Sequence, residues 1–248
     1  STRPLNKTLE YSSRPFIPGV TGASKGIGKA IAIGLAKMEY QTVLIGRNKK
    51  DLNEVVQSIS VNSEQKPLAI QLDITNSESV KTIVSEIHRK YGRIDILVNN
   101  AGIYFDGSSD ISETDFSKMI ETNLTAQYVF LSEVVPIMKQ QNSGNIFNVA
   151  SRSGKVGFSG SGAYSASKFG LVGFSESLYR ELVPLEISVT ALCPGWVNTK
   201  MAFEAGTTLK GEEMIQPEDL FKTIQWLLSL SPGACVKEVV LETPFSIS

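Results

Sequence analysis

A single histidine, His88, and two cysteines, Cys193 and Cys235, are all that the 248 residues contain of those types. These shortages remove whole classes of chemistry. Zinc sites built from histidine and cysteine need more ligands than this, and a Ser-His-Asp triad needs a histidine inside a site. His88 follows Ile83, Val84 and Ile87 in an amphipathic stretch ending Arg89-Lys90-Tyr91-Gly92. That context reads as a solvated position near a helix C-terminus, where the dipole favours positive charge. Both cysteines lie in apolar stretches. Buried free thiols in a reducing cytosol are the leading reading and a disulfide the minor one, so a cytoplasmic location is expected. No run of about 18 apolar residues occurs, so no membrane span is expected. Charge of neither sign is in excess. A formal net charge of -1 offers no basic field to nucleic acid or to an anionic membrane. Residues 1–15 lack an apolar signal core and read as a polar, mobile arm.

What is present is an alternation of short apolar runs with longer helical periods. It predicts strands near 16–20, 42–45, 68–71, 94–98, 145–149, 188–192 and 236–241. Helices are expected between them at 26–38, 50–60, 77–91, 113–140, 162–182 and 217–230. Continuous apolar runs such as Ile94-Asp95-Ile96-Leu97-Val98 fit strands covered on both faces. No repeat or linker breaks the pattern. The expectation is one α/β domain over 16–248: a doubly wound parallel sheet of about seven strands, binding ligands at the strands' carboxyl ends.

The first strand runs into Thr21-Gly22-Ala23-Ser24-Lys25-Gly26-Ile27-Gly28, which opens a helix. Glycines here permit a tight turn and let backbone amides approach a pyrophosphate, which the helix N-terminus then faces. The spacing is Gly-x3-Gly-x-Gly. About twenty residues on, where a carboxylate would bind an adenosine ribose, the chain reads Ile45-Gly46-Arg47-Asn48. Arg47 can pair bidentately with a 2′-phosphate and Lys25 can add a second cation, which favours NADP over NAD while leaving NAD possible. At the end of the third strand Asp73 could accept from an adenine amino group, with Ile74 against the ring; a simple turn-starting Asp is the alternative. Asn99-Asn100-Ala101-Gly102 ends the fourth strand, with small residues that leave room for a cofactor.

Tyr164 and Lys168 stand four apart, so one helix face carries both a phenol and an ammonium. Ser151 closes the fifth strand thirteen residues earlier, a placement that selects it over Ser153, Ser159 and Ser161. A phenol beside a cation, a nearby hydroxyl and a phosphate-cradling loop are equipment for moving a proton and a hydride together. Asn123 falls inside a long helical pattern, where asparagine is a poor interior residue, and so marks a possible kink.

Taken together, Thr21 to Gly28, Asn99 to Gly102, Asn123, Ser151, Tyr164/Lys168 and Pro194-Gly195 resemble the short-chain dehydrogenase/reductase family, in order and spacing, over nearly the whole chain from residue 16. The resemblance implies Tyr164 as general acid in ketone reduction and base in alcohol oxidation. It implies that Lys168 holds the nicotinamide ribose and lowers the phenol pKa, that Ser151 bonds the substrate carbonyl, and that Asn123 positions a relay water. Pro194, Gly195, Val197 and Thr199 would border the nicotinamide, with Thr199 touching its carboxamide. It also implies self-association through the helices of 113–140 and 162–182, as a dimer or tetramer.

Three departures stand out. Pro18 sits in what should be a central strand. The segment 199–216, expected to cap the substrate, is short, and within this region 198–206 is expected to be a lid that orders when ligand binds. The ending Val236-Lys237-Glu238-Val239-Val240-Leu241 lacks the Val-Asp-Gly-Gly common in the family's carrier-protein reductases. The turns Gln140-Gln141-Asn142 and Pro184-Leu185-Glu186 also lack basic residues that would dock an acidic carrier. Tyr104, Phe105, Arg152, Phe158, Trp196, Met201 and Phe203 are candidate pocket residues, suited to a small hydrophobic carbonyl or alcohol. Arg152 either anchors a carboxylate or is simply solvated. The leading expectation is an NADP(H)-dependent ketone reductase; a 3-oxoacyl-carrier-protein reductase, a 3-hydroxy-acid dehydrogenase and a non-catalytic nucleotide binder are the alternatives.

Overall fold

The computed structural model describes residues 15–61 and 65–246; the arm before residue 15 lies outside them. Seven parallel strands form one sheet: β1 (Pro18–Thr21), β2 (Val43–Gly46), β3 (Leu68–Gln71), β4 (Ile96–Asn99), β5 (Gly144–Val149), β6 (Ile187–Pro194) and β7 (Glu238–Leu241), in the order β3-β2-β1-β4-β5-β6-β7. Helices α1 (Gly26–Lys37), α2 (Lys49–Ser60), α3 (Ser77–Tyr91), α4 (Glu113–Ile120), α5 (Ala126–Gln141), α6 (Gly162–Leu182), α7 (Lys200–Glu204) and α8 (Pro217–Leu228) supply the crossovers. Strand order reverses between β1 and β4, so the chain leaves their carboxyl ends in opposite directions and opens a crevice there.

The sheet is covered on both faces because alternate residues of each strand point opposite ways. Val43 and Ile45 pack with Val84, Ile87, Val134 and Met138 on one side. Leu44 packs with Ile31, Leu35, Leu52 and Ile224 on the other. All four residues of β1, β2 and β4 are buried, which is why these strands read as unbroken apolar runs.

Pro18 is accommodated because it is the first residue of β1. The β1–β2 ladder begins one residue later, at Gly19 opposite Val43, and proline is tolerated at a strand's first position. Just before it, the Ile17 amide donates to the Asp95 carboxylate at 2.8 Å, which fixes the strand's entry. The helix expected over 113–140 is broken instead. A π turn, Glu121–Thr125, separates α4 from α5 and contains Asn123, where the kink is expected. Cys193 is buried in β6, but Cys235 is exposed, contrary to expectation. It lies in the connection before β7, where the backbone runs over the surface. Among the described residues no helix is long and apolar enough to cross a membrane. Phe116, Tyr128 and Phe169, on α4, α5 and α6, leave large apolar surfaces exposed.

Candidate active site

The loop between β1 and α1 is built around contacts that only glycine allows. Gly22 has φ +64, and a Cβ there would lie 2.8 Å from the Asn100 side-chain nitrogen. A Cβ on Gly28 would come within 2.3 Å of the Gly22 carbonyl oxygen. Asn100 locks this loop to the end of β4: its amide side chain donates to the carbonyls of Thr21 at 3.0 Å and Gly22 at 3.3 Å. The Thr21 hydroxyl in turn accepts from the backbone amides of Asn100 and Ala101.

Where α1 begins, Lys25 makes no side-chain cap and the first turn carries no acidic residue. By contrast α2, α3 and α4 are capped by Asn48, Asn76 and Ser112 and carry acidic residues in their first turns. The leading amides of α1 are thus left for an anion. These features fit a dinucleotide pyrophosphate. Ser24 lies beside Gly46 at the end of β2, and Thr199 beside Gly26: their side chains would be 3.6 and 3.2 Å from a Cβ at those glycines. Ile27 packs on the core.

At the other end of the crevice Arg47 is exposed and lies close enough to Asp73 to lower its pKa. The larger cause is local: Asp73 accepts from the Thr75 amide at 3.0 Å and the Thr75 hydroxyl at 2.8 Å. Asp73 therefore starts a turn. Ile74, expected against an adenine ring, has its side chain in the core, and so does Val197. The Gly195 amide donates to the Leu241 carbonyl, joining the end of β6 after Pro194 to β7.

On the substrate side, Ser151 follows β5, and its hydroxyl lies close enough to Tyr164 to favour the phenolate. Tyr164 lies on the first turn of α6 and Lys168 one turn later, its ammonium 5.6 Å from the phenol ring centre. Lys168 is buried and donates to the Val149 carbonyl at 2.9 Å. A Cβ at Gly102 would sit 3.3 Å from the Asn123 oxygen and 3.8 Å from the Lys168 ammonium, so the three residues converge. The π turn aims Asn123 inward. Its side chain accepts from the Ile103 amide at 2.8 Å and donates to the Ile103 carbonyl at 2.9 Å and the Ser167 hydroxyl at 3.1 Å. π turns of this kind recur at functional sites.

Electrostatics here differ from what the resemblance implies. Burial pushes the Tyr164 phenol up to about 12; the Ser151 hydroxyl opposes that rise and nearby Tyr104 adds to it. Burial likewise pushes Lys168 down to about 8. The ammonium does not offset the desolvation of the phenol. The phenol therefore carries its proton at neutral pH.

Two sets of polar contacts go beyond the sequence expectations, which named Asn99 but not its partners. Ser167, between Tyr164 and Lys168, donates to the Tyr164 carbonyl at 2.7 Å while accepting from Asn123. Its position at i+3 from Tyr164 is the available signal. Below the site, Asn99 donates to Asn148 and Asn148 to Ser175, both at 2.9 Å. An asparagine inside the apolar run of β5 is the clue there. Of the pocket candidates, the Tyr104 ring meets Tyr164 edge-on at 5.2 Å, and its hydroxyl donates to Asp106 at 3.0 Å. Lys118 lies over the Phe105 ring. Trp196 is partly buried, whereas Phe158, Met201 and Phe203 are exposed. Arg152 is neither solvated nor free to anchor a carboxylate, because it pairs with Glu242. The segment 199–216 is folded, with α7, a 3-10 turn at Gly211–Glu213 and a bridge from Ile215 to Val197.

Comparison with known proteins gives a consistent picture. Residues 19–210 match the family described as short chain dehydrogenase. A 3-oxoacyl-[acyl-carrier-protein] reductase of Staphylococcus aureus is 34% identical over 221 residues, which is 85% of this chain and 89% of that protein. The crystal structure of a betaketoacyl-[ACP] reductase from Bacteroides thetaiotaomicron superposes with TM-score 0.85 at 47% identity, covering 94% of this chain and 99% of that one. A metagenomic short-chain oxidoreductase solved in complex with NADP superposes with TM-score 0.81 at 28% identity, covering 93% and 97%.

Proposed function

The chain belongs to the short-chain dehydrogenase family of oxidoreductases, and from that premise we propose that it reduces a ketone to a secondary alcohol at the expense of NADPH. The observation that carries this reading is the Tyr164 phenol, beside Ser151 and with Lys168 one helical turn away, at the mouth of a glycine-lined crevice. The dinucleotide, when bound, supplies the hydride. The protein's residues do the rest. Ser151 orients the carbonyl oxygen, Tyr164 Oη gives it a proton, Lys168 anchors the ribose hydroxyls, and Asn123 holds the water that returns a proton to the phenol. Gly22, Ser24, Gly26 and Gly28 with the leading amides of α1 receive the pyrophosphate, and Thr199, beside Gly26, closes over the nicotinamide.

NADP is the preferred dinucleotide in this reading. Arg47 and Lys25 are exposed beside the ribose end, and NADP stands in the described complex of a relative. Arg47→Asp is expected to raise KM for NADPH about 10- to 100-fold and leave KM for NADH no worse, because a charged hydrogen-bonding pair is worth roughly 1.5–3 kcal/mol. Equal KM values for NADPH in wild type and variant would remove Arg47 from the site.

A 3-oxoacyl thioester is the second substrate reading, favoured by the reductases of that kind among the relatives. The test is NADPH consumption, followed spectroscopically with a cyclic ketone, a 3-oxoester and a 3-oxoacyl thioester. Turnover with at least one is expected. No turnover with any of the three would instead favour a nucleotide binder without catalysis. Self-association would cover the rings of Phe116, Tyr128 and Phe169.

A further inference from the structure

We infer that Arg152 is a positioning residue: it seats the Ser151 hydroxyl by tying the turn after Ser151 to the C-terminal segment. The inference rests on the ketone-reductase reading for its kinetic part alone. Ser151 caps a one-turn 3-10 helix, Arg152–Gly154, and its hydroxyl accepts from the Ser153 amide at 3.1 Å. The inner side of this turn is pressed onto α6. A Cβ at Gly154 would stand 2.7 Å from the Lys168 carbonyl oxygen, so the turn cannot sink further.

Two ion pairs to β7 and the residues after it run along its outer side, Arg152's from within the turn and Lys155's from just beyond it. Arg152 Nε lies 2.7 Å from Glu242 Oε1, and Lys155 Nζ 2.8 Å from Glu238 Oε2. Arg152 alone has further ties: Nη1 donates to the Ser246 carbonyl at 3.0 Å, and the guanidinium lies over the Phe158 ring at 5.3 Å. The Arg152 and Glu242 side chains are 22% and 29% exposed, which shelters the pair from screening. A planar guanidinium that donates to Ser246, pairs in charge with Glu242 and lies over the Phe158 ring is not replaceable by lysine. The tail also reaches the other wall of the crevice, because the buried Thr243 hydroxyl donates to the Glu213 carbonyl in the capping segment. One short stretch, 242–246, therefore holds both the Ser151 turn and the cap. Arg152 is bonded directly to Ser151 in the chain. Misplacement of a reacting group by about 1 Å costs up to ~100-fold in rate.

The full-length chain is tested with Arg152→Lys, Glu242→Gln and their combination, with Lys155→Met as the control on the adjacent ion pair. With a neutral ketone, each of the first two should lower kcat about tenfold with KM for NADPH unchanged, and the double variant should lose no more than either single. Lys155→Met should stay within about twofold. Hydrogen–deuterium exchange over 151–156 should quicken in both single variants and not in the control. Unchanged exchange in Glu242→Gln, additive losses in the double variant, or a defect confined to KM for an anionic ketone would each overturn the inference. If the wild-type protein turns over no ketone, the catalytic reading fails, while the exchange measurement still decides whether Arg152 holds the Ser151 turn.

Discussion

Tyr164→Phe is expected to lower kcat for ketone reduction by about 10²- to 10⁴-fold, the range of a lost general acid, while NADPH binding stays within about twofold. The phenol is neutral across the physiological range because burial holds its pKa near 12. Replacing it removes no charge, so neither the fold nor the cofactor site loses an electrostatic partner. The variant loses one hydroxyl and its polar contact with Ser151, at most about 1 kcal/mol, so the melting temperature should fall by only a few degrees. NADPH fluorescence titration and single-turnover kinetics separate the two effects. A variant retaining wild-type kcat with any ketone would show that the proton comes from elsewhere.

Lys168→Met is expected to separate activity from stability more sharply. Loss of the ammonium should cut kcat/KM by about 10²-fold or more, if Lys168 anchors the ribose as proposed. Stability should respond in the opposite sense at neutral pH. Burial lowers the Lys168 pKa from 10.5 to about 8, so below pH 8 the folded protein carries a buried charge that the unfolded chain keeps in water. That penalty is on the order of 3 kcal/mol. Methionine removes it but leaves the Val149 carbonyl without its donor, at about 1–3 kcal/mol. The variant should therefore match or exceed wild type in unfolding free energy at pH 7. From pH 8 towards 10.5 the wild type loses its penalty, as the buried amine gives up its proton before the unfolded one does. The variant's advantage should shrink over that window. Urea titrations at pH 7 and pH 9.5 check this; an advantage that grows with pH would mean Lys168 is not strained by burial.

The parts of the fold legible from sequence are those with local causes. The bounds of α3 follow from Asn76, whose side chain accepts from the Ser79 amide, and from Gly92, which ends the helix at φ 76. The glycine loop is legible through its spacing within eight residues, although part of what demands those glycines, Asn100 and Thr199, lies far along the chain. Long-range features left weaker traces. Arg152 and Glu242 are ninety positions apart, and nothing near Arg152 signals its partner. The direction of the Tyr164 shift depends on how closely protein surrounds the phenol, which spacing does not encode; the i, i+4 pairing with Lys168 suggested the opposite sign. Cys235 looked buried because its neighbours are small and apolar, yet the connection holding it has no element above it.

The π turn at Glu121–Thr125 has a consequence for how this region tolerates change. Its extra residue sets the rotational phase of α5 relative to α4. Excising a single position there would turn everything after it by about 100°, swinging Phe130, Val134 and Met138 off the sheet. Keeping those side chains in place would instead require withdrawing Asn123 from the crevice. Segment length is thus dictated jointly by an oily contact on one side and a polar one on the other, leaving substitutions tolerable where insertions and deletions are not.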